Sequence, residues 1–191
     1  MRSERGSALV ETALILPVLV LLTAAVVDFG TAWQKRAATE ESARVAAVTG
    51  FATGDAPNHD EKVVQALWRD LYGRNVSGLE WIVIFDGDRY GSVPPVCTTR
   101  SAIKAGGVNG VCTAYSPAAI ASIVDGTAVF DDTCADNPDR RWCSPRRSVP
   151  GGWTVGISYS IRQDATTRVL PFFQRYTIHQ TVVITEHPRN G

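Results

Sequence analysis

The chain has 191 residues, of which 19 are basic and 19 acidic, so its formal net charge is zero. This balance argues against a nucleic-acid partner, which usually requires a basic excess. The hydrophobic content of 45% excludes a disordered or collagen-like chain, and the length suits one domain with an appendage.

Charged residues are nearly absent from one stretch near the N-terminus. Residues 7–27 contain a single charged residue, Glu11, and the 16 uncharged residues that follow it would span about 24 Å as a helix. Arg2 and Arg5 precede this stretch, which favours an N-terminus in the cytoplasm and the rest of the chain outside it. The sequence therefore predicts a single-pass membrane segment.

Glu11 leaves three interpretations of this segment open, because a carboxylate in an apolar helix is costly and normally has a partner or a function. It is an interfacial residue of a plain anchor, or the segment is a secretory signal peptide cut near Ala25, where Thr23-Ala24-Ala25 offers small residues. In the third interpretation, the string RGSALVE, with Gly6 and Glu11, resembles the signal of pilin-like proteins.

The third interpretation rests on a wider block of sequence. Ala8-Leu9-Val10-Glu11, Pro17, Asp28-Phe29-Gly30 and the alanine-rich residues 37–47 occur in the order seen in the TadE-like family of the Tad (Flp-type) pilus system, which this segment resembles. The resemblance covers about 45 residues. It implies cleavage by a prepilin peptidase after Gly6, which makes Ser7 the first residue and Glu11 the fifth.

The resemblance also implies a role for Glu11 and a location for the protein. Glu11 would pair with the free amino terminus of a neighbouring subunit and so set the register of assembly. The protein would lie in the bacterial cytoplasmic membrane, with its head outside, or in a pilus at the cell surface. The implied partners are prepilin peptidase, other pilin-like subunits and the Tad secretion machinery.

One helix is expected from about Ala8 to about Thr49, with a kink at Pro17 left open and Gly50 as its C-terminal cap. Alanines supply its second half. They would allow close packing either against copies of the helix or against the protein's own head, and both options stay open. The predicted divisions are a leader over residues 1–6, this helix over 7–50 and a head over 51–191.

The head is predicted to be α+β, with a helix packed on an antiparallel sheet of three or four strands. After a loop over residues 51–59, Asn58 and Glu61 suggest a capping box for a helix over 60–72 that ends at Gly73. Val63, Val64, Leu67 and Leu71 form its apolar stripe, and Trp68 is expected in the core.

Three segments read as strands, namely residues 79–85, 153–162 and 176–186. The second places Val155, Ile157, Tyr159 and Ile161 on one face, and the third does the same with Ile178, Gln180, Val182 and Ile184. The apolar run 169–173 between them fills the core or forms a contact surface. Residues 86–92 are interpreted as a solvated turn, because Cys97 stands where a calcium loop needs a glutamate.

An insertion over residues 86–152 contains all four cysteines, Cys97, Cys112, Cys134 and Cys143. Their spacing lacks the short pairs of zinc sites, so disulfides are expected in a head outside the cytoplasm. We expect the local pairs Cys97–Cys112 and Cys134–Cys143, with free thiols as the alternative. A short helix from Pro117 to about Gly126 is also predicted.

Catalytic, cofactor and metal motifs are absent from the sequence. The string GISYS at 156–160 fails the nucleophile pattern, and His59, His179 and His187 are scattered. A charged segment with Asp131, Asp132, Asp136, Arg140, Arg141, Arg146 and Arg147 is either a solvated loop or a recognition tip. The sequence thus favours a non-catalytic minor pilin or pseudopilin; the alternative is an exported binding module, anchored or secreted, unrelated to pili.

Overall fold

A computed structural model describes residues 3–53, 56, 58–128, 154–165 and 175–185. The predicted pair Cys134–Cys143, the charged segment, the apolar run 169–173 and His187 lie outside these residues.

The first element is a single helix, α1, which runs over Ser3–Thr53 with Pro17 in its interior. The long helix is therefore confirmed, but it extends four residues beyond the expected end. Gly50 as a cap is wrong, because it lies inside α1 and is buried. A Cβ there would come within 3.2 Å of both the His59 ring and Val63, so the glycine allows close packing of two helices.

The second helix, α2, spans His59–Gly73, and its stripe of Val63, Val64, Leu67 and Leu71 is buried as predicted. The capping box is wrong, because the side chain of Asn58 makes no capping hydrogen bond. Trp68 is only partly buried. It packs against the core and stacks on Tyr72, with 5.1 Å between ring centroids.

The head contains a five-stranded antiparallel sheet in the order β2-β3-β1-β4-β5. The predicted strands are β1 (Leu79–Asp86), β4 (Thr154–Asp164) and β5 (Arg175–Thr185). The other two, β2 (Gly107–Val108) and β3 (Cys112–Tyr115), come from the insertion. The α+β class is confirmed, but the sheet has five strands and not the expected three or four, because the insertion contributes two of its own.

The insertion also forms short helices. These are α3 (Gly87–Tyr90), a 3₁₀ turn over Pro95–Thr98, α4 (Arg100–Lys104) and α5 (Pro117–Val124). The last was predicted, and the Ser116 hydroxyl caps it by accepting from the backbone N–H of Ala119. The Asp86 carboxylate caps α3 by accepting from the backbone N–H of Arg89, so this segment is a tight turn.

Both faces of the sheet are covered around β1. On one face, Ile82, Ile84, Val155, Ile157, Tyr159 and Ile161 pack against α1, α2 and α5. On the other, Val83, Phe85, Cys97, Cys112 and Ala114 form a second cluster beneath the insertion. A disulfide joins Cys97 to Cys112, with 6.3 Å between their Cα atoms, and fastens the 3₁₀ turn to β3. This is one of the two expected pairs.

The contact of α1 with α2 at Gly50 can be tested by substitution. Gly50→Val should lower the free energy of unfolding by about 1–3 kcal/mol, because its methyl groups would overlap His59 and Val63. Gly30→Val in the same helix is the matched control, since a Cβ at Gly30 meets nothing within 4 Å. Thermal unfolding of the full chain in detergent measures both; equal midpoints for the two variants would contradict the close contact.

Candidate assembly site

The two halves of α1 have different surroundings. From Leu9 to Val27 almost every side chain is exposed, and the large apolar ones range from 72% exposed at Leu9 to 43% at Val27. Among the side chains described from Leu9 onward, that of Ala24 is the first to be buried. An apolar helix of this length and composition can cross a membrane, and within the described residues α1 alone meets that test.

Three residues of the expected site lie in the first half of α1. Gly6 and Ser7 are helical, one to one and a half turns before Glu11. The side chain of Glu11 is exposed and makes no hydrogen bond or ion pair within the described part of the chain. A carboxylate among exposed apolar side chains would need a counter-charge from another molecule to enter a membrane at low cost.

The second half of α1 docks on the head through small residues. Its buried positions are Thr39, Ser42, Ala43, Ala46, Ala47 and Gly50. The sequence left open whether the alanines face other copies or the protein's own head. Within one chain the head covers Ala43, Ala46 and Ala47, so the second option holds for these three alanines.

Polar contacts fix the position of the docked half. The Ser42 hydroxyl donates to Asp70 of α2 at 2.7 Å, and Arg74 donates to the same carboxylate oxygen at 2.7 Å. The Tyr159 hydroxyl of β4 donates to the backbone carbonyl of Thr39, and the Gln180 amide of β5 donates to the Thr39 hydroxyl at 3.4 Å. The helix is thereby tied to α2 and to two strands.

The environment shifts the pKa of two of these groups. Burial would raise the pKa of the Asp70 carboxyl, but the hydrogen bonds from Arg74 and Ser42 outweigh it and hold the pKa below its ordinary 3.8. Burial, with the nearby Asp70 charge, raises the pKa of the Tyr159 hydroxyl. Tyr159 therefore stays a neutral donor to Thr39.

A buried polar cluster in the head was not anticipated. The Tyr115 hydroxyl donates to one oxygen of Asp60 at 2.8 Å, and the other oxygen lies 3.0 Å from Nδ1 of His59. All three residues are buried, and they join the start of α2 to β3. Their separation in sequence, 55 residues between Asp60 and Tyr115, left no local signal for this cluster.

The other described histidine, His179, lies exposed on β5 and packs its ring against Trp81, with 5.9 Å between centroids. Within the described residues, no group of three or more His, Cys, Asp or Glu side chains could hold a metal ion.

Residues 6–48 match the TadE-like protein family. The match covers 43 of the 191 residues and runs from Gly6 through the exposed half of α1 into its docked half. No curated protein and no solved structure matches the chain. The TadE-like segment and its apolar helix associate the protein with the Tad pilus and with membrane anchoring.

The Ser42–Asp70–Arg74 contact predicts a pH dependence of stability. Because folding lowers the pKa of Asp70, its contribution is fully present above pH 3.8 and is lost as the pH falls through the lower folded pKa. Asp70→Asn should therefore lose less stability than the wild type on acidification, measured by urea unfolding at neutral and acid pH. Glu40→Gln, which removes only the exposed pair with Arg44, is the control and should follow the wild type. If Asp70→Asn and the wild type lose the same free energy of unfolding between neutral and acid pH, Asp70 is not the source of the pH dependence.

Proposed function

We propose that the protein is a pilin-like subunit, a minor pilin or pseudopilin, that acts without catalysis in the assembly of a Tad-type pilus. One observation carries the proposal. The TadE-like segment comprises a helix whose first half is exposed, apolar and marked by Glu11, while its second half is held by the head.

Processing would prepare the exposed half for assembly. A prepilin peptidase cutting after Gly6 would leave a free amine on Ser7, four residues before Glu11. In a membrane, the Glu11 carboxylate gains most from a partner that neutralises it, and the amine of a neighbouring subunit supplies that charge. Pairing of this kind fixes the axial offset between two helices and hence their register.

The location follows from the ends of the apolar segment. Arg2 and Arg5 would hold the N-terminus in the cytoplasm, which puts the head outside. The disulfide between Cys97 and Cys112 suits that oxidising side. The head would contact other subunits or the Tad secretion machinery, and the second expected pair, Cys134–Cys143, would close a further loop in it.

The alternative is an exported binding module, anchored by an uncleaved α1 or released by cleavage near Ala25. The exposed helix by itself is compatible with an anchor. Glu11 favours the pilin-like function, because a plain anchor has no use for a carboxylate within its apolar stretch.

Intact-mass analysis and N-terminal sequencing of the protein from its native membrane test the processing step. The pilin-like function predicts a chain that begins at Ser7. A chain that begins at Val26 would identify a signal peptide instead, and one that begins at Met1 would identify a simple anchor. Gly6→Leu should block cleavage and leave the leader attached.

The role of Glu11 is tested by Glu11→Ala in cells that assemble the pilus. We expect loss of assembly and of co-purification with other pilin-like subunits, while the variant stays in the membrane. Glu41→Ala is the matched control, since Glu41 is exposed on the same helix beyond the apolar half. Normal assembly of Glu11→Ala would show that the carboxylate does not set the register.

A further inference from the structure

The exposed face of α1 remains apolar beyond the segment expected to cross the membrane. Leu22, Val26, Phe29 and Trp33 follow one another at helical spacing, and Phe29 and Trp33 are 71% and 63% exposed. The same face then turns polar with Arg36, followed by the exposed Glu40–Arg44 pair. The change from apolar to charged falls between Trp33 and Arg36.

This change has the position of a membrane surface. At 1.5 Å per residue, Trp33 lies about 9 Å beyond Val27 along the helix. The polar layer of a bilayer extends roughly 5–8 Å beyond its hydrocarbon core, and tryptophan is enriched there because its ring is amphipathic. Side chains of a helix lean toward its N-terminus, so the ring of Trp33 reaches back from its backbone position into this layer. Arginine one turn further along can reach lipid phosphates with its guanidinium.

The head meets α1 at the same level. The start of β5 lies beside α1 just after the apolar segment, where Tyr176 faces Phe29 and Trp33. Burial and the charge of Asp28 raise the pKa of the Tyr176 hydroxyl there. Between α1 and this edge strand lies a groove of about 410 Å³, lined by Phe29, Ala32, Trp33 and Arg36 on one side and by Tyr176 and His179 on the other.

We propose that this groove binds a phospholipid of the outer leaflet, so that the start of β5 rests on the membrane surface. Phe29 and Trp33 contact the boundary between acyl chain and headgroup, and Arg36 contacts the phosphate. Arg36 makes no ion pair within the described part of the chain, so its charge is available for a phosphate. The proposal rests on the membrane anchoring in the proposed function, and it adds a second contact, made by the head.

The groove is continuous with the lipid-facing side of α1, which argues for lipid as its occupant. A lipid that touches Leu22 and Val26 needs only to extend along the same helix face to reach Phe29 and Trp33. A second copy of the chain is the competing occupant, and the experiment below separates the two.

Tryptophan quenching in liposomes of phosphatidylcholine and phosphatidylglycerol tests the proposal. The lipids carry bromine either near the headgroup or near the middle of the acyl chain, and the full chain is reconstituted at a high lipid-to-protein ratio. The contribution of Trp33 is the difference between the wild type and Trp33→Phe. Trp33 should be quenched most by bromine near the headgroup.

Two tryptophan substitutions in the Trp33→Phe background calibrate the depth. Leu21→Trp, within the apolar half, should be quenched most by mid-chain bromine if the helix spans the bilayer. Val48→Trp, which is exposed and about 22 Å beyond Trp33, should be quenched by neither lipid.

The outcomes separate this proposal from the one on which it rests. If the tryptophan of Leu21→Trp is quenched but Trp33 is not, lipid binding in the groove is overturned while the membrane anchor stands. Quenching of Trp33 chiefly by mid-chain bromine places the groove inside the bilayer and also overturns it. Shielding of Trp33 that is relieved by dilution of the protein in lipid identifies a second copy as the occupant and overturns it too. If the tryptophan of Leu21→Trp is not quenched, both the membrane anchor and the lipid contact of the groove are overturned.

Discussion

The structure depends on the close contact between the small-residue face of α1 and the head. Thr39, Ser42, Ala43, Ala46, Ala47 and Gly50 present almost no side-chain volume, so α2 and the sheet approach the helix backbone directly. Contacts between small residues bury little apolar area, so the hydrogen bonds of Ser42 and Thr39 are needed to fix the orientation of α1 on the head. Because the head holds only this half, the preceding part of the same helix is free to interact with other molecules.

That division explains why one rigid helix can serve two environments. A helix propagates cooperatively, so residues fixed by the head extend helical order into the apolar half without a hinge. Pro17 costs one backbone hydrogen bond, yet α1 continues through it. The head therefore determines the direction in which Glu11 and the apolar side chains are presented. The aromatic stripe at Phe29 and Trp33 lies where the two environments meet.

Local sequence patterns were sufficient to predict much of the fold and the family of the N-terminal segment. Hydrophobic spacing predicted α1, α2, β1, β4 and β5, and the motif around Glu11 pointed to the TadE-like segment. Contacts between residues far apart in the sequence could not be predicted from these local patterns. Gly50 carries the signal of a helix cap, but its lack of a side chain serves the contact with His59 and Val63, which only the fold reveals. Likewise, β2 and β3 are two and four residues long, too short for a periodic pattern. β3 forms because β1 offers an edge, and β2 then pairs with β3.

The head holds the second half of α1 and makes few contacts with the exposed half, so it should fold without that half. A chain that begins at Asp28 tests it most directly, because that chain lacks the exposed half and keeps every docking residue from Thr39 to Gly50. Sedimentation and thermal unfolding in detergent-free buffer should show a soluble monomer with a cooperative transition and the Cys97–Cys112 disulfide. Aggregation, or a head that no longer unfolds cooperatively, would show that the head needs the apolar half and would contradict the claim.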